Sequence, residues 1–220
     1  KATSNNAGNV GNSANAGNVS NDDELVLEGD SNCDLTDIVL SEGTIDGATY
    51  ATNVGGILGY LDGTTYSGHA SVVNSYSLMD VTGKQYIGGV VGYSNERCDI
   101  NHCYAIGKVT GTTKVGALVG YTDSNVSVTN SYWNKSLSGV TTSALGEVKG
   151  ISSLAKQSTY LNWDFTDVWG IDEGKSLAYL KAFGVPDKLY DVVTNTMEKG
   201  DGTAENPYII KTVEIHVIIS

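Results

Sequence analysis

The side chains of this chain that could do chemistry are a small set of scattered carboxylates. The candidate acids are Asp62, Asp80, Asp99 and Asp123. Carboxylates that converge in one groove could serve as general acid and base, or bind Ca²⁺ through their oxygens. Asp62 follows Tyr60 by two residues, and Asp123 follows Tyr121 by two residues. We expect both acids at one corner of the fold, with Glu96 nearby; the alternative is that all are solvated corner residues.

Other signatures of catalysis and metal binding are missing from the sequence. His69, His102 and His216 stand alone, and none has metal-ligand spacing with another His or Cys. The His-Glu-x-x-His and Gly-x-Ser-x-Gly motifs are absent. The sequence therefore predicts no catalytic residue, no metal site and no cofactor. The odd cysteine count argues against a disulfide framework, although a bridge between Cys98 and Cys103 across a short loop stays open.

A repeat of 28 residues indicates which elements must position these side chains. Tyr76, Tyr104 and Tyr132 are spaced 28 and 28 residues apart, as are Gly83, Gly111 and Gly139. Self-similarity at such a period is typical of stacked units, each unable to bury its apolar face alone. The step from Tyr60 to Tyr93 is five residues longer than this period, which predicts an insertion of five residues in 61–70.

The repeat predicts an all-β fold, a parallel β-helix or β-solenoid with turns of about 28 residues. The many Gly, Thr, Val and Asn residues fit short strands and tight corners. We expect Val72, Asn74 and Tyr76 on one inward face, because residues two apart share a face of a strand. The same holds for the copies Ile100, His102 and Tyr104, in which His102 joins a ladder of hydrogen-bonded asparagines.

The register of the repeat fails after Gly139, and three domains follow from this. Residues 1–143 form the β-solenoid, with diverged turns in 1–49. Residues 144–185 hold two of the three tryptophans and are interpreted as an aromatic and helical cap over the last turn. Residues 186–220 are interpreted as C-terminal strands or the start of a further repeat unit.

Charge and hydropathy exclude two classes of partner. The formal net charge is −12, and Arg97 is the only arginine. Nucleic acid binding needs clustered Lys and Arg, so we expect no nucleic acid partner. No apolar run approaches the roughly 20 residues that cross a bilayer, so we expect no membrane insertion.

The glycine-rich motifs resemble those of bacterial surface proteins that carry GLUG repeats. The pattern Gly-Gly-x-x-Gly-Tyr occupies 55–60 and 88–93, and it recurs at 116–121 with Ala117 in place of a glycine. Residues 130–134 resemble the closing turn of such arrays, and 202–210 are similar to a segment that opens a fresh array. The resemblance covers roughly residues 50–210.

The resemblance implies a right-handed parallel β-helix on a large secreted or wall-attached bacterial protein. Such proteins include adhesin-like proteins and some IgA-specific metallopeptidases, whose repeats accompany a separate catalytic domain. The family offers no agreed ligand residues. We therefore expect an extracellular, non-catalytic part of a larger surface protein, with host glycan or extracellular protein as partner.

The insertion at 61–70 is the best candidate contact loop, because insertions in solenoids map to one face that is often the binding face. Its candidate ligand-binding residues are Asp62, Tyr66 and His69. Tyr66 could stack on a sugar, or fold back onto the solenoid. The alternative function is a polysaccharide lyase or hydrolase, which would need three or more carboxylates in one groove.

Overall fold

A computed structural model describes residues 2–4, 25–27, 32–35, 39–41, 44–46, 50–63 and 69–199. Side chains are described for residues 50–63 and 69–195. Within these ranges the chain is mostly short strands, with few helices.

The strands alternate with tight corners over most of the chain. They are β1 Ala2–Ser4, β2 Leu25–Leu27, β3 Asn32–Leu35, β4 Val39–Ser41, β5 Thr44–Asp46, β6 Thr52–Gly55, β7 Leu58–Leu61, β8 His69–Ser77, β9 Asp80–Thr82, β10 Gln85–Gly88, β11 Val91–Ser94, β12 Cys98–Ala105, β13 Val109–Thr110, β14 Thr113–Gly116, β15 Val119–Thr122, β16 Val126–Thr129, β17 Tyr132–Trp133, β18 Glu147–Val148, β19 Trp169–Gly170 and β20 Tyr179–Leu180. The helices are α1 Lys135–Ser138, α2 Ile151–Leu154, a 3-10 helix Gln157–Thr159 and α3 Asp187–Lys199.

Parallel pairing between copies of the repeat builds the stack, as the period of the sequence predicts. β6, β10 and β14 form one sheet, β7, β11 and β15 lie side by side in a second, and β8, β12 and β17 in a third. Tyr76 pairs with Tyr104, which pairs with Tyr132. Leu61 pairs with Ser94, a step five residues longer than the period, whereas Ala70 pairs with Cys98 at the period itself. The five extra residues therefore lie between Leu61 and Ala70, where they were predicted.

The diverged N-terminal part continues the same ladders. β3 and β4 pair in parallel with β8, and β5 pairs in parallel with β9. β1 differs, since it pairs antiparallel with β7 and with β2. The all-β class and the parallel sheets are confirmed by these pairings.

The interior of the stack is filled by aliphatic side chains that recur in successive copies of the repeat. Leu58, Val91 and Val119 are fully buried, and so are Val72 and Ile100. All five belong to one core cluster. Burying side chains of this size contributes about 1.5–3 kcal/mol each, which is why no single copy of the repeat would hold its strands alone.

The predicted common inward face of Val72, Asn74 and Tyr76 is wrong. Asn74 has a φ of 50°, and its copies His102 and Asn130 have φ of 52° and 46°. A left-handed residue inside a strand breaks the alternation of side chains between faces. Val72 therefore packs in the interior cluster, whereas Tyr76 belongs to a second cluster.

That second cluster contains the three stacked tyrosines, which we call the buried tyrosine column: Tyr76, Tyr104 and Tyr132. Their exposed fractions are 0%, 0% and 1%. The rings of Tyr76 and Tyr104 are parallel to within 3°, with centroids 5.0 Å apart. A cover of Trp163, Trp169 and other buried side chains from residues 150–193 packs on them.

The aromatic part of the C-terminal region lies along the side of the stack rather than only over its last turn. The Trp169 indole donates to Asn74 Oδ1 at 3.3 Å, and Trp163 donates to the Asn130 carbonyl at 2.9 Å. The Lys188 ammonium donates to the Leu78 carbonyl at 2.6 Å. These contacts span the first to the last tyrosine of the buried tyrosine column. Residues 142–148, in contrast, hydrogen-bond to the last parallel strands.

The helices of this region differ from the prediction. The cap predicted in 144–185 contains little helix, since α2 is one turn long and begins after Gly150 without a side-chain cap. Residues 187–199 form α3 where strands or a new repeat unit were expected. Leu189 and Val193, four residues apart, are both buried on one helix face against the aromatic cover. Residues 200–220, the rest of the segment predicted as strands or a new repeat unit, lie outside the described residues.

Candidate functional site

A row of outward tyrosines is the most regular chemical feature of the surface. Tyr60 on β7, Tyr93 on β11 and Tyr121 on β15 are register partners in adjacent parallel strands. The ring centroids of Tyr60 and Tyr93 are 5.0 Å apart, and those of Tyr93 and Tyr121 are 5.3 Å apart. All three side chains are partly exposed.

A fourth tyrosine joins this row from the neighbouring sheet. Tyr86 on β10 has a φ of 58°, and its ring lies 5.1 Å from Tyr93 and 5.4 Å from Tyr121. Gly92 permits the close approach of β10 and β11, since a Cβ there would lie 2.7 Å from the Tyr86 carbonyl oxygen. We call Tyr60, Tyr86, Tyr93 and Tyr121 the tyrosine strip.

Polar side chains border the tyrosine strip and bind to its hydroxyl groups. Asn95 Nδ2 donates to the Tyr60 hydroxyl at 3.1 Å and to Asp62 Oδ1 at 3.2 Å. The Tyr93 hydroxyl donates to Asp123 Oδ2 at 2.5 Å. We call Asp62, Asn95 and Asp123 the polar flank. Asp62 and Asp123 therefore border one surface, as the sequence spacing predicted.

Burial and the flanking acids raise the pKa of two of the strip hydroxyls, those of Tyr60 and Tyr93. Burial raises the pKa of Tyr60, and the negative charge of Asp62 raises it further. The hydrogen bond to Asp123 is the main cause of the raised pKa of Tyr93. The site thus combines phenol rings with carboxylate and amide groups.

Of the three predicted ligand-binding residues, Asp62 and His69 have different side-chain partners. Asp62 belongs to the polar flank. His69 Nε2 lies 3.0 Å from Asp99 Oδ2 on the adjacent strand, and both side chains are close to half exposed. Tyr66 lies in 64–68, outside the described residues, so its role stays a prediction.

The remaining acids have separate local partners. Asp80 Oδ1 accepts from the Lys108 amide at 2.8 Å, and Glu96 Oε1 accepts from the Ser124 hydroxyl at 3.2 Å. Over the part of the chain that the structure describes, no group of three or more His, Cys, Asp or Glu side chains could hold a metal ion. Asp80 and Glu96 thus each have a separate hydrogen-bond partner within the described structure.

The buried titratable groups are set in apolar surroundings. Cys98 and Cys103 are free thiols, so the bridge left open by the sequence is not formed. Burial raises the pKa of Cys98 to about 11 and that of Cys103 to about 12, which suppresses the reactive thiolate. Burial also lowers the pKa of His102. Its Nε2 has no hydrogen-bond partner within the described structure, so the predicted asparagine-type ladder bond is not made there.

Sequence reasoning found the repeat positions of Tyr60, Tyr93 and Tyr121 but did not select them as a site. The signal was present, because the tyrosine ends each glycine-rich copy. The position of Tyr86 in the same strip was not accessible from spacing, because the equivalent residues of the other two copies are Asn53 and Lys114 rather than tyrosines.

Comparisons with known proteins agree with the motif pattern. Residues 83–110 match the family described as the GLUG motif, a stretch that contains Tyr86, Tyr93 and the second glycine-rich copy. No curated protein and no solved structure matches the chain. Among the described residues, no helix is both long and apolar enough to cross a membrane.

Proposed function

We propose that this chain, a GLUG-motif protein, is a non-catalytic, extracellular, adhesin-like module of a larger bacterial surface or secreted protein. It presents a binding surface for host glycan or protein, or serves as a rigid stalk. The observation that carries the proposal is the tyrosine strip, a regular row of partly exposed rings on the outer face of parallel strands.

The proposed architecture is a right-handed parallel β-helix with turns of about 28 residues. The paired registers of successive copies support it. In this proposal residues 144–185 act as a cap. The support is that Ala144 N donates to the Val119 carbonyl and that Glu147 pairs with Tyr132. A cap protects the open strand edges of a stack from association.

The distribution of the acids supports a binding role over catalysis. A lyase or hydrolase needs carboxylates that converge on one bond. Asp80 binds a backbone amide, and Asp99 pairs with His69. Asp123 accepts from a tyrosine hydroxyl.

The proposal is tested by screening the purified chain against glycans and host matrix proteins, with and without Ca²⁺. The same glycans are assayed for cleavage. We expect saturable binding with no product. Product formation would replace the proposal with a polysaccharide-degrading enzyme, and a lack of binding to either class would leave only the stalk role.

The insertion loop has its own test in the same screen. Tyr66→Ala is compared with wild type on whichever ligand binds. We expect weaker binding if the loop contacts the ligand, and an unchanged affinity would remove Tyr66 from the site.

A further inference from the structure

The step of the tyrosine strip is nearly constant along the stack. Tyr60, Tyr93 and Tyr121 follow one another at 5.0 and 5.3 Å between ring centroids. This step reflects the spacing of adjacent parallel strands, about 4.8 Å. Neighbouring rings are rotated by 69° and 58°, so the side chain and its step repeat but the orientation of the ring does not. A repeated aromatic side chain at one step matches a ligand that is itself a linear polymer of like units.

The strip and its polar flank offer two kinds of contact side by side. The tyrosine rings supply flat apolar faces, and their hydroxyls supply a polar end. An ionised carboxylate, such as Asp62 or Asp123 can supply, accepts hydrogen bonds and donates none. A sugar ring presents the same pair of properties, with an apolar C–H face and hydroxyl groups at its rim that donate to such acceptors.

The charge of the site selects among sugar polymers. The chain carries a net charge of −12, and Asp62 and Asp123 add negative charge at the strip itself. Lys114 is the cation that contacts a strip ring in the described structure, with its ammonium 4.5 Å from the Tyr121 centroid. Like charges repel, so an uncharged polymer fits this surface better than an anionic one.

The rings are held in place before any ligand arrives. Tyr86 packs on Tyr93 and Tyr121, and hydrogen bonds fix the hydroxyls of Tyr60 and Tyr93. Side chains that are already ordered lose less entropy on binding. The strip is therefore suited to a ligand that makes many weak contacts of one kind.

A protein partner fits the strip less well. Protein hot spots cluster in well-packed pockets surrounded by a rim that excludes water. The tyrosine strip is a row of partly exposed rings with carboxylates directly beside it. The large exposed apolar side chains Val148 and Leu161 belong instead to β18 and to the C-terminal region.

We propose that the tyrosine strip and its polar flank bind a neutral linear polysaccharide, with successive sugar rings lying along the stack. This inference rests on the proposed function, because it assigns the ligand class and the location of the binding surface. It also shifts the expected contact from the insertion loop to the face of β7, β11 and β15.

The test uses affinity electrophoresis of the whole chain in gels that contain barley β-glucan, glucomannan or galactan. Hyaluronan and heparin serve as anionic probes, and a panel of matrix proteins is assayed separately. The strip variant is Tyr93→Ala with Tyr121→Ala. The matched control is Tyr50→Ala, since Tyr50 is 82% exposed and precedes β6. Circular dichroism and a urea midpoint verify the fold of each variant.

We expect retardation by a neutral polysaccharide, a loss of affinity of about tenfold or more in the strip variant, and wild-type affinity in the control. Asp123→Asn, which keeps shape and removes charge, is expected to weaken binding to the neutral probe less than the double variant does. If the double variant unfolds, Asp123→Asn tests the site in its place. A wild-type affinity of Asp123→Asn for the neutral probe would then contradict the proposed site.

The outcomes separate this inference from the proposed function. Glycan binding that survives in a folded strip variant would overturn the strip assignment and leave the binding function intact. Binding only to anionic probes or only to matrix proteins would overturn the ligand class in the same way. Binding to none of the probes would overturn both the strip assignment and the binding role.

Discussion

Two rows of tyrosines follow successive copies of the repeat along this molecule, and they have opposite environments. The buried tyrosine column sits on β8, β12 and β17 and is at most 1% exposed. The tyrosine strip sits on β7, β11 and β15, with β10 adding Tyr86, and stays partly exposed. Both rows arise from the stacking of register partners in parallel strands.

The difference comes from what lies over each row. The C-terminal region places Trp163, Trp169 and the face of α3 on the buried tyrosine column. Polar side chains such as Asn95 and Asp123 contact the strip through hydrogen bonds to its hydroxyl groups. One repeated residue type therefore stabilises the fold on one side and stays partly exposed on the other, where we propose the binding surface.

The largest expected effect is a difference in folding stability between alanine variants of the two tyrosine rows. Tyr104→Ala should lower the free energy of unfolding by about 3–5 kcal/mol, because it empties a fully buried ring site. Tyr93→Ala should cost less, about 1.5–3 kcal/mol, because a partly exposed ring loses three aromatic contacts at the low end of about 0.5–1.5 kcal/mol each. Urea denaturation of both variants measures the difference. Equal costs would show that the cover does not distinguish the rows.

The next effect tests the glycine that supports the strip. A Cβ at Gly92 would lie 2.7 Å from three backbone atoms, those of Gly59, Tyr86 and Val54. Gly92→Ala should destabilise the fold by about 1–3 kcal/mol, since the backbone must shift. Thermal unfolding measures it, with Ala117→Gly in the same motif as a control expected to cost about 1 kcal/mol or less. A neutral Gly92→Ala would contradict the close approach.

Removal of single hydroxyl groups gives a smaller contrast. The Tyr104 hydroxyl donates to the buried Ala178 carbonyl at 2.6 Å. Tyr104→Phe should cost about 1–2 kcal/mol, because it leaves that carbonyl unsatisfied. Tyr93→Phe should change stability by about 0.5 kcal/mol or less, since its partner Asp123 can turn to water. Chemical denaturation checks the order, and a larger loss for Tyr93→Phe would reverse our interpretation.

The smallest expected effect is a pH dependence of the folding stability, caused by His102 next to the aromatic cover. Burial lowers the pKa of His102, whose ring lies 6.0 Å from Trp163. As the pH is lowered through about 6.5, the pKa of the unfolded state, the histidine binds a proton in the unfolded state before it does so in the folded state. The stability of the fold therefore decreases as the pH is lowered. His102→Asn should remove this part and suit the φ of 52°, as Asn74 and Asn130 do at 50° and 46°.

The urea midpoint at pH 7.5 and at pH 5.0 measures this dependence for wild type and His102→Asn. The difference between the two proteins cancels the titration of the carboxylates that they share. Equal losses on acidification in both proteins would exclude His102 as the source.

The sequence predicted the register of the repeated strands well, but it predicted less well which side chains of those strands share a face. The pairing of Tyr76 with Tyr104 and the place of the five-residue insertion follow from spacing alone. The inward face was wrong because strand alternation was assumed through Asn74. Of the candidate site, Asp62 and Asp123 were correctly placed at one corner, whereas Tyr86 was missed because its repeat partners are not aromatic.

What the sequence by itself determined is the stack: period, parallel pairing, and the rows of like residues that period forces onto one line. These follow because each copy repeats its own apolar pattern and can bury it only against the next. Only the tertiary structure decided which tyrosines are core and which are surface. That choice depends on the left-handed residues that turn the strands, and on a C-terminal region whose unrepeated sequence carries no signal of where it packs.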